Sequence, residues 1–190
     1  MNRNIGTEVL EFYRKLPFNV YENHKIAIKN IKNSDVLSYY TPLKEIIKEN
    51  EIKSIIDIGC GGGWFLNSLA FQLGDNFNYH GVDFNQIAIN HGTDISKRMN
   101  LNVTYEKQDL FKLNEDKKYD LITSLGVLHH TEDTIKALLK ILKLGNNNSY
   151  VFVGLYHKYG RKPFLDFVKT LDGLSEDEKF EAYKSLHKLQ

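Results

Sequence analysis

The sequence predicts an α/β domain built on a doubly wound, mainly parallel sheet of about five strands. Between residues 53 and 156, short β-rich runs alternate with longer amphipathic segments, which is the pattern of βαβ units. Right-handed crossovers between parallel strands then place helices on both faces. The prolines Pro17, Pro42 and Pro163 fall outside this stretch, so no hard breaker interrupts it. A glycine cluster follows the first β-rich run directly, at the place where such a sheet binds a ligand.

The elements follow in order. Residues 7 to about 50 read as helical. Val9, Phe12, Tyr13 and Leu16 recur at three- and four-residue spacing until Pro17 breaks the pattern. Ile26, Ile28, Ile31 and Val36 are less regular. Leu43, Ile46 and Ile47 mark a further short helix with Thr41 as its N-cap and Pro42 at its first position. Strands are expected at 54–58, 77–82, 101–105, 119–124 and 149–155. Helices are expected from Trp64 to Leu73, from Asn85 to about Met99, and from Thr131 (as N-cap) to Leu142. Beyond Tyr156, Phe164, Leu165 and Val168 suggest one helix. Ser175 with Glu178 forms a capping-box signal for a second, carrying Phe180, Tyr183 and Leu186. The expected organisation is a helical cap at 1–50, a core at 51–156 and a helical C-terminal segment at 157–190.

Composition narrows the function classes. Of 190 residues, 42% are hydrophobic and 26% charged, enough to bury a core. Lys and Arg total 25 against 24 acids, a net charge of +1. That balance argues against a nucleic-acid arm or a polybasic membrane anchor. A lone cysteine, Cys60, excludes an intrachain disulfide framework and a multi-cysteine zinc site. With no apolar run of transmembrane length and no N-terminal h-region, a cytoplasmic location is expected.

The glycine cluster, Asp57-Ile58-Gly59-Cys60-Gly61-Gly62-Gly63-Trp64, decides between two ligand classes. A dinucleotide fingerprint needs G-x-G-x-x-G. Counted from Gly59 its third glycine is Trp64, and counted from Gly61 it is Leu66, so an NAD-linked oxidoreductase is disfavoured. The alternative is an acid two residues ahead of G-x-G-x-G. A carboxylate at 57 suits a ligand with a cationic amino group and would repel a pyrophosphate. Asp83 ends the second strand, where an acid takes both ribose hydroxyls as a bidentate acceptor. Its competing role is helix N-cap. Asp109 follows the third strand, a place where a lone Asp is ordinarily a turn former.

Asp57, Gly59, Gly61 and Gly63 match the first motif of class I S-adenosylmethionine-dependent methyltransferases, which this chain resembles. Asp83, Asp109 and the stretch from Tyr119 to Thr131 continue the likeness over roughly residues 53 to 156. Lys143-Leu144-Gly145-Asn146 departs from it, since relatives commonly carry Pro and a second Gly there. The resemblance implies a Rossmann-like fold and S-adenosylmethionine as cofactor. It further implies a cofactor-binding set of Asp57, Gly59, Cys60, Gly61, Gly63, Asp83, Phe84, Asp109, Leu110 and Leu125. In that set the acid at 109 serves the adenine amino group and the backbone of 110 supports the ring. Tyr21, with Phe18 and Asn19, is expected either to cover the cofactor or to pack on the sheet.

Methyl transfer from a sulfonium asks the protein mainly to bind and align, which suits a chain without an evident nucleophile or triad. If the acceptor must lose a proton, His129 and His130 are the nearest titratable groups, with strand capping as their alternative role. Neighbouring histidines are expected to diverge, so no metal site is expected. A redox role for Cys60 is disfavoured. The acceptor is expected to be a small molecule. A cofactor-binding module without turnover is the rival reading, because the family's sheet usually has two more strands. The chain is either a shortened variant or ends before its domain does.

Overall fold

The computed structural model describes residues 17–157, 159–160, 162–175, 177–179, 181–182 and 185. The helical pattern expected at 7–16 and the Phe180, Tyr183 and Leu186 face lie outside these residues. Three helices come first: α1 (His24–Asn33), α2 (Val36–Tyr39) and α3 (Thr41–Glu49). Asn23 caps α1 by accepting the Lys25 N–H, and Asp35 caps α2 through Ser38. Thr41 is already helical. Tyr40 is the N-cap of α3 and offers no side-chain bond, so Pro42, which lacks an N–H and has a preset φ, starts that helix.

The core then alternates β1 (Ser54–Ile58), α4 (Trp64–Leu73), β2 (Asn78–Asp83), α5 (Gln86–Arg98), β3 (Val103–Lys107), β4 (Tyr119–Leu125), α6 (Thr134–Leu142) and β5 (Gly145–Gly154). Among the described residues the sheet has order β3-β2-β1-β4-β5, and every pairing is parallel. Single-turn 3-10 helices follow β3 and β4, at Leu110–Lys112 and Leu128–His130. Thr131 closes the second of these by donating to the Leu128 carbonyl at 2.6 Å, and Asp133 caps α6 through Lys136. The expected cap at Thr131 is therefore displaced by the carboxylate two residues on.

Both faces of the sheet are covered. One buries Ile55, Tyr79 and Leu121 against Val36, Leu43, Ile47, Phe65 and Leu69. The other buries Ile56, Ile58, Val82 and Ile122 against Ala137 and Ile141. Residues 36–47 thus share one apolar core with the sheet. Trp64, which replaces the dinucleotide glycine, donates its indole N–H to Ser34 Oγ at 3.0 Å and packs toward α1. Asp120 holds the start of β1 by accepting the Lys53 and Ser54 N–H groups, each at 2.9 Å. The strand expected from residue 149 begins earlier, at Gly145, which pairs with Tyr119, and a register irregularity separates that pair from Leu121 opposite Tyr150. Ser149 Oγ spans that irregularity, accepting the Asn146 N–H and donating to the Tyr119 carbonyl, both at 2.7 Å.

Among the described residues, those from 17 to 155 form one compact unit and those from 156 onward a second. In the second, α7 spans Lys162–Lys169. The expected capping box is present, with Ser175 N–H donating to Glu178 Oε2 at 2.8 Å and Glu178 N–H to Ser175 Oγ at 3.3 Å.

Candidate cofactor site

Strand order reverses direction at β1, whose neighbours are β2 and β4. The carboxyl ends of these strands are the site such a sheet provides. Asp57 stands there opposite Gly81 on β2 and Thr123 on β4. This register lets Thr123 Oγ1 donate to Asp57 Oδ1 at 2.7 Å. At 3% exposure, the Asp57 carboxyl is pushed up to about 7, chiefly by burial and further by the charge of Asp83, against the Thr123 bond.

The turn after β1 begins by extending the ladder, with Gly59 and Cys60 N–H groups both donating to the Val82 carbonyl. Gly59, Gly61 and Gly63 have φ of 73°, 52° and 81°, values that favour glycine. A Cβ on Gly59 would strike Val127 in the loop leaving β4, and one on Gly63 would strike the Tyr105 hydroxyl. The Cys60 thiol is buried and pushed up by that burial and by Asp57 and Asp83, the opposite of a reactive thiolate.

Asp83 joins the two strand ends. Its Oδ2 accepts the Gly61 N–H at 2.9 Å and its Oδ1 the Asn85 N–H at 2.8 Å. The helix-capping role falls to Asn85, which accepts the Ile87 N–H at 2.9 Å. Burial raises the Asp83 carboxyl, while the backbone donors of Asn85, Gly61 and Phe84 oppose the rise. A carboxylate offers about four acceptor directions, so the two bonds from Gly61 and Asn85 leave acceptor capacity on Asp83.

Beyond β2 and β3 lies a pocket of about 230 Å³ lined by Phe84, Lys107, Gln108, Asp109 and Lys112. Asp109 Oδ1 accepts the Phe111 N–H at 2.9 Å and so builds the turn. Its other oxygen stands 3.9 Å from Lys112 Nζ, and the side chain is 46% exposed. Asp109 therefore does turn chemistry and still fronts the pocket. Leu110 packs into the core on one face of the sheet and Leu125 into that on the other. His129 and His130 lie in the 3-10 turn after β4. They do not diverge, since their ring centroids are 4.2 Å apart.

The N-terminal segment meets the glycine turn through its backbone. Phe18 is 61% exposed, yet its carbonyl accepts the Gly62 N–H at 2.9 Å. Asn19, at φ 56°, brings its carbonyl to where a Gly62 Cβ would stand. Tyr21 donates its N–H to His91 Nε2 at 3.2 Å, and His91 Nδ1 lies 2.9 Å from the Gly62 carbonyl. His91 escaped the sequence reading, as did Thr123 and Asn85. In sequence His91 was only one more position on a helix face.

The profile of the methyltransferase domain family matches residues 49–183. The chain belongs to that family. Within the methyltransferases, it is 31% identical over 139 residues to a ubiquinone biosynthesis O-methyltransferase of Rickettsia conorii, covering 71% of this chain and 47% of the relative. A Rickettsia bellii protein of the same description is 29% identical over 108 residues, covering 57% of this chain and 41% of its own length. The chain thus spans less than half the length of these curated relatives. Among solved structures, the PH0226 protein of Pyrococcus horikoshii superposes with a TM-score of 0.59 at 22% identity, covering 82% of this chain and 70% of its own. The plantazolicin methyltransferase BpumL, solved with a desmethylPZN analog and SAH, gives 0.55 at 20%, covering 93% and 61%. Both superpositions show the Rossmann-like methyltransferase fold. Among the described residues, no helix is long and apolar enough to cross a membrane.

Proposed function

We propose that the chain binds S-adenosylmethionine at the carboxyl ends of β1, β2 and β3 and transfers its methyl group to a small-molecule acceptor. The observation that carries this reading is Asp83, which braces the glycine turn through Gly61 and keeps acceptor capacity beside the buried Asp57. Family membership and the relatives named as O-methyltransferases support it. The near-neutral charge and single buried thiol are compatible with a cytoplasmic small-molecule enzyme.

The residues present fit the donor. Asp83 takes the ribose hydroxyls. Asp57 supplies the negative field for the cationic amino group, with the turn from Gly59 through Cys60 and Gly61 to Gly63 allowing close backbone approach. Asp109, the backbone of Leu110 and the ring of Phe84 serve the adenine in the pocket between β2 and β3, and Leu125 closes the β4 side. S-adenosylmethionine, when bound, supplies a methyl group made electrophilic by its sulfonium sulfur. The chain's part is alignment and exclusion of water, with segment 18–21 covering the turn. His129 or His130 accepts the acceptor's proton where one must leave. In this reading residues 51–156 carry the cofactor, 1–50 are the N-terminal helical cap and 157–190 a helical C-terminal segment.

A second reading, binding without turnover, is favoured by one observation: β5 pairs only with β4 among the described residues. Incubation with methyl-labelled S-adenosylmethionine and a panel of phenolic, amine and thiol acceptors separates the two. Label in an acceptor is expected. Saturable cofactor binding with no label in any acceptor would establish the second reading.

A further inference from the structure

We infer that His91 is a positioning residue whose neutral Nδ1–H form clasps segment 18–21 onto the glycine turn, and that protonation of His91 opens the clasp. Gly62 O can only accept and Tyr21 N–H can only donate, so the two contacts assign the tautomer: Nδ1 carries the hydrogen and Nε2 is the acceptor. The two bonds, at 2.9 and 3.2 Å, run in series from the turn through one imidazole to the segment. Gly62 completes the clasp from its other side by donating to the Phe18 carbonyl at 2.9 Å. Both backbone groups of Gly62 are therefore committed to holding residues 18–21, and only glycine leaves room for the Asn19 carbonyl.

Adding a proton at Nε2 turns that acceptor into a donor facing the Tyr21 N–H. One link is lost and two donors are left opposed. The bond from His91 to Gly62 survives, and so does that from Gly62 to the Phe18 carbonyl, so the segment stays tied at residue 18 and is released at Tyr21. His91 is 8% exposed, and burial holds its imidazole below the ordinary histidine range. The charged and titratable groups facing it are His24 on α1, with ring centroids 6.1 Å apart, and Asp94 on α5; Tyr21 packs at 6.2 Å. His24 opposes protonation of His91, and Asp94 favours it. Asp94 is itself held by His24 Nδ1 at 3.2 Å and Arg98 Nε at 2.6 Å. The clasped state is therefore fully favoured above the ordinary histidine range and is lost as pH falls through the lowered value.

The role of the clasp in retaining cofactor rests on the proposed function, but the clasp itself is read without ligand. Amide hydrogen exchange of residues 18–23, corrected for the intrinsic rate of an unfolded chain, is measured on the whole protein from about pH 7.5 to about pH 5. Protection of the Tyr21 amide is expected to fall at least about threefold toward the acid end. His91→Asn keeps a donor toward Gly62 and has no proton to gain, so its protection is expected to stay flat across the same range. Asp94→Asn, a surface change, is expected to move the wild-type midpoint to lower pH. Flat protection in the wild type, or an unchanged midpoint in Asp94→Asn, would overturn the clasp. Failure of S-adenosylhomocysteine to bind at any pH would overturn the proposed function and leave this exchange result standing.

Discussion

Asp83 accepts the backbone N–H of Gly61 at 2.9 Å, so the carboxylate ending β2 fastens the turn that leaves β1. One side chain thus shapes the turn and presents acceptor oxygens to whatever lies on it. Asp83→Ala is expected to weaken S-adenosylhomocysteine binding by about 1.5–3 kcal/mol, the loss of hydrogen bonds to a charged acceptor. Calorimetry on the variant checks this. Unchanged affinity would remove Asp83 from the site.

Asp57 makes the free protein pay for readiness. Its carboxyl titrates at about 7 in the folded state against an ordinary 3.8. Between those values the folded protein binds a proton that the unfolded chain has released, so stability falls as pH rises through this window. Asp57→Asn removes the buried charge and retains an acceptor for Thr123. It is expected to raise the unfolding free energy at about pH 8 by an amount on the order of a few kcal/mol, and with it the unfolding temperature, and to change little near pH 4. Thermal melts at both pH values test the difference, and a variant less stable at pH 8 would show that the ionised form is well compensated.

A cationic ligand beside Asp57 draws its proton off. Binding of S-adenosylhomocysteine near pH 7 is therefore expected to release protons, fewer than about one per site. Calorimetry in buffers of different ionisation enthalpy reads the number directly. Asp57→Asn should abolish most of it.

Tyr105 fills a groove left by glycines. A Cβ on Gly81 or Gly92 would come within 2.6 or 3.0 Å of its ring, and burial drives its hydroxyl well up. Gly81→Ala is expected to destabilise by about 1–3 kcal/mol through overpacking. Combined with Tyr105→Ala, the two changes should be non-additive in a double-mutant cycle, because the second removes the atoms the first collides with. Additive losses would show that the strain lies elsewhere.

The alternation of runs and helices was legible because hydrophobic periodicity is local, and so was the glycine turn, since glycines at fixed offsets report a backbone need. Helix caps are less legible. Thr131 and Asp133 are both good N-caps, and only the closing of the turn at Leu128–His130 decides for Asp133. Asn85 took the cap that Asp83 was weighed for, because Asp83 had turned toward Gly61, a contact between residues 22 apart in the chain. His91 and Thr123 were illegible for the same reason, since their partners Tyr21 and Asp57 lie 70 and 66 residues away. The glycines themselves carried a double meaning. Val127, Phe18 and Tyr105 each crowd one of them, so the motif serves internal packing as well as a ligand.

Titration calorimetry of the intact, folded chain with S-adenosylhomocysteine at about pH 7.5 is the most direct test. Saturable one-to-one binding, weakened in Asp83→Ala, is the result expected. No saturable heat from protein whose melting transition is intact would contradict the account at its centre.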